Sequence, residues 1–126
     1  MSKPILCLDF DGVIHSYASG WKGANVIPDP PVPGAFAFIR RADKHFDVQV
    51  YSSRSGQLGG IEAMRRWFAE HDQYVTQEAL PDLLGIISFP TAKPSAFLTI
   101  DDRALPFDGT WPPMKTLKEF KPWNKK

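Results

Sequence analysis

A chain of 126 residues with 43% hydrophobic and 13% aromatic side chains matches one compact domain and carries enough apolar material for its core. Fifteen basic against fourteen acidic residues leave a formal charge of +1, which announces no nucleic-acid surface and argues against no phosphorylated ligand. The lone cysteine, Cys7, excludes an internal disulfide, and the opening MSKPILCLDF holds no apolar run long enough for a signal peptide or a membrane span, so the expected address is the cytoplasm.

Residues 4 to 9 read as a first strand, apolar on both faces as strands of a parallel sheet usually are. From 12 to 33 Gly, Pro, Ser and Asn accumulate, which predicts a long excursion with a short hairpin through VIHSY and NVI. The stretch 13–33 is expected as a flap near the site, and within it the loop from 15 to 27, with His15, Tyr17, Trp21 and Lys22, as a local lid. Helix one follows from about 34 to 45, entered through Pro33, with Phe36, Ile39 and Ala42 on one stripe. FDVQVYSS alternates Val48, Val50 and Ser52 on one side and reads as strand two. Leu58, Ile61, Met64 and Phe68 recur at helical spacing, so helix two is expected from about 57 to 71, with Arg65, Arg66 and Glu70 toward water. A short helical stretch near 77 to 83, strand three at LGIISF and strand four at AFLTID complete the pattern. Trp111 and Trp123 lie among prolines in a last segment expected to pack across the domain, and KPWNKK reads as a solvated end. The order strand, helix, strand, helix, strand, strand predicts an α/β fold: a three-layer sandwich around a mostly parallel Rossmann-like sheet, in a single domain over residues 1–126.

In such sheets ligands collect at the carboxyl ends of the strands. Strand one ends at Asp9 with Asp11 just beyond, strand two at Ser52, Ser53 and Arg54, and strand four at Asp101 and Asp102. Three or four carboxylates meeting there would raise one another's pKa unless a cation sits among them. Mg²⁺ suits the position, being a hard ion that binds through a few carboxylates, waters and a substrate phosphate; Asp9, Asp11, Asp101 and Asp102 are its candidate ligands. A carboxylate at Asp9 is already ionised near neutrality and can attack phosphorus without a base. The metal and Lys93 would reduce its repulsion from the phosphate, Ser52 and the backbone N–H groups after Asp9 would hold phosphoryl oxygens, and Asp11 would exchange protons with the leaving group and with water. Gly12 fits a tight turn beside a bound phosphate. Ser53, Arg54 and Trp21 are further candidates for binding substrate.

With these residues in place, LDFDGV resembles the first motif of the haloacid dehalogenase superfamily, and VQVYSSRS, AKPS and LTIDDRA are similar to the second, third and fourth, in family order. The resemblance covers residues 4 to 104. It implies a Rossmann-like sheet and a Mg²⁺ ion held by the Asp9 side chain, the Asp11 backbone carbonyl and Asp101. It also implies an aspartyl-phosphate on Asp9, and a second acid two residues on is typical of the family's phosphatases and phosphotransferases. Lys93 departs from the common pattern: only eight positions before Asp101, it leaves no room for a helix and must reach the site from a loop. Asp9 and Ser52 are 43 positions apart, and Ser52 and Lys93 are 41 apart, so no large cap domain fits between them. The expected function is a phosphatase open to a phosphorylated small molecule or macromolecular end, with a phosphotransferase or a non-catalytic binding module as rivals. No membrane partner and no stable nucleic-acid complex is expected, and the chain is expected to be a monomer or weak oligomer.

Each sharp reading has a bland counterpart. Two exposed acids at a strand end are commonplace, and only the ordered set with Ser52, Lys93 and Asp101 points to phosphoryl transfer. A response-regulator receiver domain also uses acids, a hydroxyl and a lysine, but its phosphorylated aspartate ends a middle strand. His15 reads as a loop histidine, His45 and His71 as solvated, Cys7 as a small core residue, and Trp21 equally as a cover for the core. Arg54 and Arg103 are balanced between gripping phosphate and forming surface ion pairs.

Overall fold

The structure is a computed structural model that describes residues 2–72 and 82–125. Four strands form one sheet: β1 (Ile5–Leu8), β2 (Asp47–Val50), β3 (Ile87–Ser88) and β4 (Leu98–Ile100), in the order β3-β2-β1-β4. Every pairing is parallel. The register sets Leu6 beside Val48 and Leu98, and Leu8 beside Val50 and Ile100. Side chains alternate across a sheet, so these even-numbered residues share one face. Cys7, Asp9, Tyr51, Thr99 and Asp101 line a common pocket on the other.

Three helices complete the apolar face. Helix α1 (Ala35–Asp43) begins after Gly34 and buries Ile39 and Ala42, with Phe36 partly buried against the core. Helix α2 (Gly60–His71) buries Ala63, Met64, Trp67 and Phe68, while Arg65, Arg66 and Glu70 face water. The short α3 (Leu83–Ile86) inserts Leu83 into the same cluster, its first turn capped by Asp82, whose carboxylate accepts from the Leu84 N–H. Arg40 on α1 sends Nη2 to both oxygens of Asp72 at the end of α2, at 2.8 and 2.9 Å. Helices α1, α2 and α3 all contribute to one cluster with Leu6, Leu8, Val48 and Val50, and the parallel sheet with its helices is compatible with the expected Rossmann-like sandwich. No helix among the described residues is long and apolar enough to cross a membrane.

Several boundaries differ from the sequence reading. Helix two starts at Gly60, not 57, because residues 52–60 first make successive turns, with Ser55 N–H to Ser52 O, Gln57 N–H to Arg54 O and Gly60 N–H to Gln57 O. Leu58 is left outside the helix and is 100% exposed, so it is no part of the apolar stripe. Gly60 has to be glycine, since a Cβ there would collide with the Arg54 carbonyl. The first residues of LGIISF close a helical turn before two residues of strand, and the helix expected near 77 to 83 falls mostly outside the described residues. The expected hairpin through NVI is absent. Residues 14 to 16 instead meet 30 to 32, through Ser16 N–H to Pro30 O and Val32 N–H to Ile14 O, because the carbonyls of Ala24 and Val26 are turned onto Arg54. Trp111 does not pack across the domain but is 82% exposed; only the end of that segment docks, where the Trp123 indole donates to Gly12 O at 2.7 Å.

Candidate active site

β1 is the second strand from the β4 edge, flanked by β2 and β4, so its carboxyl end meets theirs. Asp9 follows β1 directly and donates its N–H to Ile100 O at 3.0 Å, which ties it to the β4 end two residues from Asp102. One carboxylate oxygen from each of Asp9, Asp101 and Asp102 lies within 4.8 Å of the others, so the three could together hold a metal ion. A pocket of about 170 Å³ opens beside them, lined by Cys7, Asp9, Tyr51, Ser52, Ser53, Lys93, Thr99 and Asp101. Lys93 thus reaches the pocket from the loop between β3 and β4.

The triad is electrostatically strained. Burial pushes the Asp9 carboxyl up to about 8, helped by its hydrogen bond with Asp102 and by the charges of Asp101 and Asp102. Burial and Asp101 also raise Asp102, against the opposing effect of its bond to Asp9. Asp9 and Asp102 therefore share a proton in place of two charges. Oxygen donors packed this closely suit a hard divalent cation, which would take over the compensation the proton supplies. Gly12 borders the same group with φ +83°, and a Cβ there would run into the Asp102 carboxylate.

Ser52 is buried, and its hydroxyl oxygen accepts the Arg54 N–H at 2.9 Å, leaving the O–H free to point elsewhere. Its backbone N–H donates to Ser55 Oγ at 3.0 Å. Asp101 accepts the Arg103 N–H at 2.8 Å, a turn that fixes the carboxylate beside its neighbour.

Asp11 is placed differently from expectation. Its side chain is not in the triad; the carboxylate turns to Arg54, with Nε to Oδ2 at 2.9 Å and Nη2 to Oδ1 at 3.0 Å, and to His15 Nδ1 at 2.9 Å. Burial alone would raise its pKa, but the bonds from His15 and Arg54 and the Arg54 charge prevail and hold it below the usual carboxylate range. Arg54 is correspondingly not a phosphate grip. It is fully buried, and its Nη1 donates to the carbonyls of Gly23, Ala24 and Val26 at 2.8, 2.9 and 3.2 Å. Trp21 covers the guanidinium, with its ring centroid 4.7 Å from Cζ, so one face of the indole is already occupied.

His15 is also not a loop histidine in water. It is fully buried, its Nε2 accepts the Asp29 N–H at 3.1 Å, and so Nδ1 carries the proton donated to Asp11. Asp29 in turn accepts from the Ser19 N–H and hydroxyl at 2.8 and 2.6 Å, and its carbonyl receives the Trp67 indole at 2.9 Å. The flap is therefore pinned at Ser19, at 23–26 and at Asp29, and is not the free lid that its composition suggests. Sequence reasoning missed His15 and Asp29. The available signal was a polar excursion too poor in apolar residues to hold itself, with one histidine and one arginine near strand-end acids.

Comparison with protein-family models, with curated proteins and with solved structures returns no match. The site's reading therefore rests on its own geometry.

Proposed function

We propose that the protein is a Mg²⁺-dependent phosphomonoesterase that works through a phosphorylated Asp9. The observation that carries this reading is the joining of Asp9, Asp101 and Asp102 within 4.8 Å beside a pocket that Ser52 and Lys93 also line. Asp9, Asp101 and Asp102 would hold the ion, which supplies charge neutralisation for the carboxylates and the phosphate. With the shared proton displaced, Asp9, which lines the pocket, is the nucleophile: a carboxylate oxygen bonds to phosphorus as the bond to the leaving oxygen breaks, and the leaving oxygen takes a proton from water. Lys93, which lines the same pocket, provides positive charge, and the Ser52 hydroxyl donates to a phosphoryl oxygen. Water then attacks the phosphorylated Asp9 and gives up its proton to solvent, while Asp11, held ionised by Arg54 and His15 and not part of the pocket lining, fixes the bend that follows Asp9. A cavity of about 170 Å³ accommodates a phosphoryl group but leaves the rest of a substrate outside, so the leaving group is free to be large.

The test is a panel of nucleotides, sugar phosphates, phosphopeptides and phosphorylated oligonucleotide ends, each with Mg²⁺ and with EDTA. Hydrolysis that EDTA abolishes, and that Asp9→Asn reduces at least about a thousandfold with unchanged circular dichroism, is expected. Turnover retained by Asp9→Asn refutes the nucleophile, and no hydrolysis anywhere in the panel returns the chain to a binding role.

A further inference from the structure

Two surfaces of this chain are left incomplete, and each supplies what the other lacks. Along the apolar face of the sheet, Leu6, Leu8, Val48 and Val50 are buried, yet their row neighbours on β4 are not: Leu98 is 51% exposed and Ile100 36%. Between α1 and β4 lies an apolar groove of about 250 Å³ floored by Leu8, Ile14, Ile39 and Ile100. The outer edge of β4 has no strand beside it among the described residues. The core is thus built on three strands and stops short of the fourth.

The segment after Asp102 has the opposite fault. Leu105, Phe107, Trp111, Met114, Leu117 and Phe120 are all exposed, and its helix α4 (Met114–Lys118) buries no residue. A five-residue helix cannot hold itself in water and needs a surface to lie on. The arm is nevertheless anchored, since it leaves the site at Asp102 and returns where Trp123 and Asn124 bond to the carbonyls of Gly12 and Ser16.

We propose that a second copy of this chain supplies the missing half of each surface: the chain is a twofold dimer in which the arm of one copy covers the β4 face of its partner, reciprocally. Area and charge carry the choice of occupant. With Phe38, Leu98 and Ile100 on the body, and Trp123 joining the six arm residues, the exposed large apolar residues present on the order of 1,000 Å². Summed over the two surfaces, that reaches the roughly 800 Å² per partner of a specific interface. From Arg103 to Lys126 there are six basic and two acidic residues, against nine basic and twelve acidic in the remainder, so arm-on-body contact is favoured and arm-on-arm contact is not.

The experiment is light scattering coupled to size exclusion on the full chain at micromolar concentrations, in wild type, Leu98→Lys, Trp111→Asp and an equimolar mixture of the two variants. Twice the chain mass is expected for wild type and the chain mass for each variant alone. The mixture should regain dimer, because the intact arm of the Leu98→Lys copy meets the intact β4 of the Trp111→Asp copy. A monomeric wild type overturns the proposal and leaves the arm to its own chain or to another partner. Variants that stay dimeric, or a mixture that stays monomeric, overturn the exchange of arms.

Discussion

Replacing Arg54 by Met is the sharpest test of how the loop beside the site is held. The side chain is fully buried and uses its guanidinium on both sides, with two N–H groups on the Asp11 carboxylate and Nη1 on three flap carbonyls. Methionine restores much of the volume but leaves Asp11 a partly buried carboxylate with only His15 for support. Breaking a buried ion pair from one side costs about 3–5 kcal/mol, and the three carbonyls lose their donor as well, each worth about 1 kcal/mol when not regained from water. Since these terms overlap, the expected loss is about 4 kcal/mol, a large share of the roughly 5–15 kcal/mol that holds an ordinary domain together. Urea unfolding followed by circular dichroism measures it as a fall in midpoint at unchanged slope. Arg54→Lys keeps the charge but not the planar fork, and should recover only part of the loss. The double variant Arg54→Met with Asp11→Asn removes the stranded charge and should be more stable than Arg54→Met alone. A loss below about 1 kcal/mol for Arg54→Met, or no recovery in the double variant, would refute the claim that this ion pair fastens the flap.

The raised pKa of Asp9 has a sign that can be checked. A proton held up to about pH 8 in the folded chain is released near the ordinary carboxylate value in the unfolded one, so its contribution to stability is complete below about pH 4 and is lost as pH rises through about 8. Metal-free protein should therefore lose thermal stability across that window, and Asp9→Asn or saturating Mg²⁺ should flatten the profile; a flat profile without metal defeats the reading. Gly12→Ala should cost about 1–3 kcal/mol and weaken Mg²⁺ binding at least about tenfold by calorimetry, because the methyl group must displace the Asp102 carboxylate from a φ of +83° that alanine rarely adopts. Leu58→Ser, at a fully exposed position, should change the urea midpoint by less than about 0.5 kcal/mol equivalent, whereas a stripe residue would cost several times more.

What was legible in the sequence was what is local. The apolar run ILCL, the alternation of Val48 and Val50 and the acids that end their strands announce the sheet and the place where side chains gather. The stretch LLGIISF was ambiguous because a short apolar run fits a helical turn as well as a strand, and Asp82 decides the matter by capping the turn. The partners of Arg54 were hidden for a different reason. Asp11 is 43 positions away and the flap carbonyls 28 to 31, and no periodicity records a contact made by closing a loop. An arginine between two serines looks like a surface residue until the fold buries it.

The two aspartates of the opening motif show how one strand end yields two electrostatic environments. Side chains alternate along β1, so Leu8 enters the core, Asp9 turns to the pocket, and Phe10 returns to the core, edge-on to Trp67 with ring centroids 5.0 Å apart. Phe10 is then a buried pivot: past it the chain bends, with the N–H groups of Val13, Ile14 and His15 all reaching Phe10 O. Asp11 comes out of that bend beside Arg54 and not beside Asp9. Two carboxyls two positions apart thereby sit in opposite fields, Asp9 raised by burial and the neighbouring acids and Asp11 lowered by the imidazole and the cation beside it. Environments that separate a pair in this way let one group take up charge only with a counterion and keep the other charged at rest. The pivot therefore matters to electrostatics as well as to packing: a smaller residue at position 10 would loosen the bend that keeps the two fields apart.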